Sequence, residues 1–260
     1  MNCAMESDAS ILTEAGISND ALLGGRLRLL QPRRGHRAGT DAVLLAACAT
    51  AQNGETIVDL GAATGAVGMM VALRVPGVRF VLIERDPALV ALGRENLILN
   101  GLEARGEVVE ADVLAPRTQI ERAGLRPGMA DLVVTNPPFA EAGDMPRSPD
   151  AGRAQAHELP AGGLRVWLQT SAHLLRHRGR LIMIQRADKL GACLEALGRQ
   201  FGGVCIRPVR PKADADAIRI IISAVKGGRG PLRIGSEIVL HASHGGFTPP
   251  VARAHEGEPL

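Results

Sequence analysis

Residues 134–140 read VTNPPFA. The apolar run DLVV ends there in an amide, two prolines and an aromatic ring. Proline has no backbone N–H and cannot continue a central ladder, so sheet pairing does not hold this turn. The residues do offer two hydrogen-bond acceptors and a flat face. The side-chain carbonyl of Asn136 and the backbone carbonyl of Pro137 can both accept from an NH₂ group. The nitrogen of an aromatic amine or amide is a poor nucleophile, because its lone pair is delocalised. Two acceptors would pull it toward tetrahedral geometry and aim the lone pair, which is catalysis by orientation and electrostatics rather than proton abstraction. Pro137 and Pro138 stiffen the turn. Phe139 can stack on a flat substrate, a contact worth about 1–3 kcal/mol for a nucleobase. In isolation the same four residues also fit a rigid surface turn.

Three further stretches carry polar residues where a strand should end. The first is VDLGAATGAVG (58–68), in which Asp59 and Gly61 leave a strand and Gly65 lets the backbone approach a ligand at a helix start. The second is Glu84, about 20 residues further on, placed to accept both hydroxyls of a ribose. The third is Asp112, after EVVEA, a carboxylate suited to the exocyclic amino group of an adenine. Singly, each acid also reads as a solvated strand end. Together at successive strand ends they form a set, and ligands of open parallel sheets bind at those ends. No Lys-Ser/Thr follows Gly65, which excludes a P-loop.

The elements that must position these residues alternate. Strands are expected at 55–61, 78–84, 106–112 and 130–136. Helices are expected at 65–75 and from Asp86-Pro87 to Asn100-Gly101, where Asp is the N-cap and Pro the first helical residue. QIERAG reads as a short helix. Thr40 reads as the N-cap of a first helix, AVLLAACATA. A helix over 163–177, the strand RLIMIQ and the helix ADKLGACLEALGRQF follow. GVCIRPV and AIRIIISAV then form strands with no helix between them, an edge hairpin antiparallel to the rest, and SEIVLH is a last strand-like piece. Alternation of this kind implies a mostly parallel sheet with helices on both faces. Residues 1–39 read as a lead-in or small hairpin, 40–240 as the main domain and 241–260 as a loose tail. Residues 140–160 read as a long loop and a possible lid.

The 260 residues are 46% hydrophobic and 22% charged, enough for one large core and too apolar for a disordered chain. Aromatics are only 2%, so Leu, Val, Ile and Ala must build that core; Trp167 lies on the apolar stripe of its helix. Cys3, Cys48, Cys193 and Cys205 are too scattered for a zinc site or a disulfide framework, and His173 and His177 lack a third ligand at metal spacing. No metal is expected. No secretory leader or membrane span is visible, which points to the cytoplasm. The net charge of +3 permits nucleic-acid binding without requiring it. Basic residues cluster at Arg33, Arg34, His36 and Arg37, and again at Arg207, Arg210, Lys212 and Arg219, followed by Lys226, Arg229 and Arg233. They could grip RNA phosphates or form solvated faces.

DLGAATG, Glu84, Asp112 and NPPF together resemble the Rossmann-like S-adenosylmethionine-dependent methyltransferases that act on planar nitrogens. The resemblance implies a doubly wound, seven-stranded, mostly parallel α/β sheet and S-adenosylmethionine as cofactor. It implies cofactor contacts from Thr40, Asp59, Gly61, Ala63, Gly65, Glu84, Asp112, Val113 and Asn136, and catalytic contacts from Asn136, Pro137, Pro138 and Phe139. The family often has glycine where this chain has Ala63. LLQPRRGHRAGTDAVLLAA before the first strand, with NPPF and AQAHE (154–158), is similar to bacterial tRNA1(Val) adenine-37 amino-methyltransferases. That implies an adenine in tRNA as acceptor, in a loop or flipped out of a helix. A glutamine amide, a small-molecule (oxygen) acceptor and a non-catalytic RNA-binding module remain open, as does the oligomeric state.

Overall fold

The computed structural model describes residues 16–35, 37–141 and 158–260. Most of the expected 140–160 loop, with its possible lid role, lies outside these residues, as do Cys3, His36 and His157.

Ile17–Leu22 (β1) and Leu27–Pro32 (β2) pair as an antiparallel hairpin. The first helix, Thr40–Cys48 (α1), is capped by Gly39 in extended geometry, with no side-chain cap bond. Thr40 is therefore the first helical residue and not the N-cap. Next come Thr56–Leu60 (β3), Ala66–Arg74 (α2), Arg79–Glu84 (β4), Pro87–Leu99 (α3), Gly106–Glu110 (β5), Arg117–Arg122 (α4) and Ala130–Thr135 (β6). The α3 start matches its sequence signature: the Asp86 side chain accepts from Ala88 N–H and Pro87 opens the helix. Ala140–Glu141 (β7) and Glu158–Leu159 (β8) form a short parallel pair. Gly163–Leu174 (α5) leads directly into Leu175–Arg186 (β9), so the helix is three residues shorter than its periodicity suggests and the strand longer. Leu190–Leu197 (α6), Phe201–Arg210 (β10), Arg219–Lys226 (β11), Arg233–Ile234 (β12), Ile238–Val239 (β13) and Pro249–His255 (α7) complete the chain.

Seven strands form the sheet in the order β10-β11-β9-β6-β3-β4-β5, and the two-residue β12 and β13 both add to β10, giving nine. β9, β6, β3, β4 and β5 run parallel. β11 is antiparallel to both its neighbours, so β10 again runs with the majority. The chain winds from β3 outward to β5, then restarts at β6 on the other side of β3. The β3/β6 junction is thus a topological switch point, where a crevice opens beyond the strand ends.

The period-2 alternation of the strands divides the core in two. Ile57, Phe80, Leu82, Leu132, Val134 and Ile182 pack with α1 and α2 on one face. Val58, Leu60, Val81, Ile83, Val133 and Met183 pack with α5 and α6 on the other. The segment 241–260 is not a loose tail. Val251 and Ala254 of α7 are buried in the first core, and Leu260 N–H donates to Ala47 C=O. Phe247 stacks between His241 and His255, with ring centroids 5.2 and 4.4 Å away. Among the described residues no helix is long and apolar enough to cross a membrane.

Candidate active site

A cleft of about 600 Å³ opens at the switch point, within the roughly 300–1,000 Å³ usual for small-molecule sites. Four strand ends build it. From β3 come Gly61 and Ala63, from β4 Glu84, from the β5 exit Asp112 and Val113, and from the β6 exit all of Asn136-Pro137-Pro138-Phe139. These are the residues singled out in sequence, brought together by parallel strands in register. Beside the cleft lies a second recess of about 490 Å³, lined by Thr40, Asp41, Arg37 and Gly35. Asn136 and Phe139 line both cavities and form the wall between them.

Glu84 is held by three backbone N–H groups. Ala63 N–H donates to Oε2 at 2.9 Å, and Arg85 and Asp86 N–H donate to Oε1 at 2.8 and 3.0 Å. A carboxylate has about four lone-pair directions, so roughly one remains for a ligand hydroxyl. Asp112 Oδ1 accepts from Leu114 N–H at 2.9 Å in an Asx turn, which leaves Oδ2 without a partner among the described residues. Val113 is buried, and its carbonyl accepts from the Thr170 hydroxyl. With Asp86, these acids give the cleft an acidic rim broken by Arg85. Carboxylates able to accept from ribose hydroxyls and an amino group, beside an acidic rim, suit a cationic nucleoside such as S-adenosylmethionine.

Two sequence candidates work from behind the cleft wall. Asp59 is 2% exposed; its Oδ2 accepts from Gly68 N–H at 2.8 Å, and it does not line the cleft. Burial, opposed by the Gly68 hydrogen bond and reinforced by the charge of Glu84, pushes its carboxyl up to about 7. Gly65 caps α2 in the left-handed region at φ 90°, and a Cβ there would lie 2.5 Å from Leu82 Cδ1. Its left-handed φ and its close contact with Leu82 both favour glycine, and it does not line the cleft. Ala63 also adopts a left-handed backbone, φ 49°, which explains why glycine is common at this position in the family that the motif resembles.

Sequence reasoning missed the floor. Trp167 is buried and packs with the second core, but it also lines the cleft. Its Nε1–H donates to Thr135 Oγ1 at 2.9 Å, and that hydroxyl donates to Leu60 C=O at 2.7 Å. A Cβ on Gly61 would lie 2.6 Å from the indole ring. Pro32, Leu89, Leu114 and Leu159 add to the apolar lining. The helical stripe that carries Trp167 was visible, but not which end of the ring would meet a cavity.

At the NPPF turn, Asn136 Oδ1 is shielded from solvent and has no hydrogen-bond partner among the described residues. Leaving a buried carbonyl unpaired costs about 1–3 kcal/mol, and in a cavity wall this oxygen is free to take a donor from a ligand. Phe139 is half-buried, with the Arg219 guanidinium carbon 4.8 Å from its ring centroid.

The two basic clusters differ in the structure. Arg219 pairs with Asp41 and Lys226 Nζ donates to Leu175 C=O, which tie the edge hairpin to the body, while Arg210 pairs with Glu237 next to β13. Arg37 pairs with Asp20. The side chains of Arg33 and Arg34 are exposed, lie in the chain between the cleft-lining Pro32 and Gly35, and have no partner among the described residues. No group of three His, Cys, Asp or Glu among the described residues is placed to hold a metal.

The model of the methyltransferase small domain matches residues 37–206. A tRNA1(Val) (adenine(37)-N6)-methyltransferase of Bacteroides thetaiotaomicron is 31% identical over 58% of this chain, a match that spans 60% of that protein's own length. An enzyme of the same name from Aeromonas hydrophila is 29% identical over 82% of this chain and 85% of its own. Among solved structures, one described as a predicted O-methyltransferase, from Agrobacterium tumefaciens, superposes with a TM-score of 0.72 at 29% identity, covering 85% of this chain and 97% of that one. The chain belongs to the methyltransferase small domain family and is an S-adenosylmethionine-dependent methyltransferase.

Proposed function

We propose that this methyltransferase modifies an exocyclic amino group of a nucleobase, an adenine in tRNA. The observation that carries the reading is the unpaired, shielded Oδ1 of Asn136 in the wall between the cleft and the second recess. A planar NH₂ entering from the recess would supply the donor that this oxygen lacks. Phe139 lines the same recess and offers its ring for stacking. S-adenosylmethionine, when bound, supplies an electrophilic methyl group. Asn136 and the Pro137 carbonyl hold the acceptor's two N–H bonds, so that the lone pair faces that group. The acidic rim with Glu84 and Asp112 holds the nucleoside end.

Methylation of oxygen on a small molecule would need a general base at the acceptor. Asp59, whose carboxyl is pushed up to about 7, does not line the cleft, and Asp41 in the recess is engaged by Arg219. The similarity to two tRNA adenine methyltransferases supports a tRNA acceptor, and the exposed Arg33 and Arg34 supply positive charge for its phosphates.

Transfer of a labelled methyl group into bulk tRNA, ribosomal RNA, protein and metabolite fractions, followed by nucleoside analysis, tests this. Label is expected in N6-methyladenosine from the tRNA fraction. Asn136→Ala is expected to lose roughly 10²-fold in kcat. Label in protein would instead identify a glutamine amide, and full activity of Asn136→Ala would exclude the acceptor mechanism.

A further inference from the structure

The two faces of the Phe139 ring are not equivalent. Arg219 occupies one of them. Arg219 lies at the start of β11, beyond the region 37–206 that matches the family model. Its guanidinium is fixed on both sides: Nε donates to Asp41 Oδ2 at 2.9 Å and Nη1 donates to Ile218 C=O at 3.1 Å. Asp41 sits in the first turn of α1, where the helix N-terminus favours an anion. Arg219 and Asp41 are each only about a quarter exposed, which strengthens their attraction relative to a surface pair.

We propose that Arg219, held by Asp41, is a positioning residue that clamps the Phe139 ring so that a flat acceptor stacks on the opposite face. The proposal rests on the nucleobase reading above. A phenylalanine after a Pro-Pro turn has no ladder to fix it, and an unclamped ring would have to be ordered at each binding event. A guanidinium over one face holds the ring by cation–π attraction and closes that face to substrate. What remains is the opposite face, on a ring that lines both cavities together with Asn136, so stacking and amide acceptance act on one base at once. The clamp also ties the edge hairpin to the acceptor side of the site, which gives residues outside the family region control over it.

The test uses the full-length protein. The chain has only four phenylalanines, so fluorine-labelled phenylalanine gives four resonances, and Phe139→Leu assigns one of them. Arg219→Met and Asp41→Asn are expected to shift and broaden the Phe139 line and leave the other three in place. Arg219→Lys, which keeps the charge, should restore part of the effect and serves as the folded control. In transfer to bulk tRNA, Arg219→Met is expected to lose about tenfold in kcat/KM for the acceptor, while the KM for S-adenosylmethionine changes less than about twofold. In a Phe139→Ala background the same change should cost less than about twofold, since the clamped ring is gone. An unmoved Phe139 line in Arg219→Met, or an equal cost in both backgrounds, overturns the clamp. A displaced line in a protein that transfers nothing to tRNA overturns the nucleobase reading and leaves the clamp standing.

Discussion

Asp59 and Gly68 are joined by a buried hydrogen bond: the Oδ2 of the strand residue accepts the N–H of the helix residue at 2.8 Å. The bond fastens the start of α2 to the end of β3 and so fixes the glycine-containing turn between them. The same carboxyl is fully buried near Glu84, and its proton is held up to about 7.

A pH dependence of stability follows. Between about pH 4 and pH 7 the folded protein keeps the Asp59 proton and the unfolded chain does not. The native state therefore binds more protons, and stability falls as pH rises through this window. Asp59→Asn keeps a carbonyl for Gly68 and removes the titration. Without ligand, its unfolding free energy relative to wild type should rise from pH 4 to pH 7.5, by on the order of 3 kcal/mol. Parallel pH profiles of the two proteins in urea melts would refute this.

Ala63 carries a left-handed backbone with a side chain, a conformation that costs an L-residue roughly 1 kcal/mol. Ala63→Gly should relieve that strain at the cleft wall. The expected result is an unchanged or slightly higher melting temperature, despite glycine's larger unfolded-state entropy. Calorimetric titration then shows directly whether the methyl group limits cofactor affinity.

Asn96 is fully buried and grips both polar backbone groups of Leu30. Its Oδ1 accepts from Leu30 N–H at 2.7 Å, while its Nδ2 donates to Leu30 C=O and to Thr64 C=O. One side chain thus joins the hairpin, α3 and the glycine turn. Asn96→Leu strands several polar groups, at about 1–3 kcal/mol each. A loss of at least about 3 kcal/mol is expected from denaturant midpoints.

Gly61→Ala would place a methyl group 2.6 Å from the Trp167 ring at a φ of 74°. The ring is rigid and cannot give way as a flexible side chain would. Destabilisation of about 2–4 kcal/mol is expected, together with a shift in emission from the single tryptophan.

Arg33→Ala with Arg34→Ala should weaken tRNA binding and flatten its salt dependence by roughly one logarithmic unit per lost phosphate contact. Arg210→Ala, whose partner is Glu237, should leave that slope alone and act on stability instead. Filter binding over a salt series separates the two.

Much of the site was legible because parallel strands deliver their ends to one edge. Glu84, Asp112 and NPPF each follow an apolar run, and that local pattern suffices to place them together. Asp86-Pro87 also kept its meaning, since a cap and its first helical residue act within one turn. Thr40 did not: Gly39 supplies the extended cap, and Thr40 moves into the helix and the wall of the second recess. The last 20 residues misled for a related reason. Gly245, Gly246, Pro249 and Pro250 signal a loop, yet two prolines can open a helix, and Val251 and Ala254 then share one face against the first core. That face has no value until α1 is there to receive it.

The sequence by itself determined which residues gather at the cleft: an amide before two prolines, a ring after them, and acids at strand ends. Only the tertiary structure decided where each one stands. It placed Asp59 behind the wall, set Gly61 and Gly65 close against Trp167 and Leu82, and made Trp167 a cleft floor. It also brought Arg219 from a distant strand onto Phe139. The physical reason is range. Caps, turns and period-2 patterns are set by neighbours in the chain, whereas burial, unpaired acceptors and cation–π contacts depend on residues that meet only after the sheet has closed.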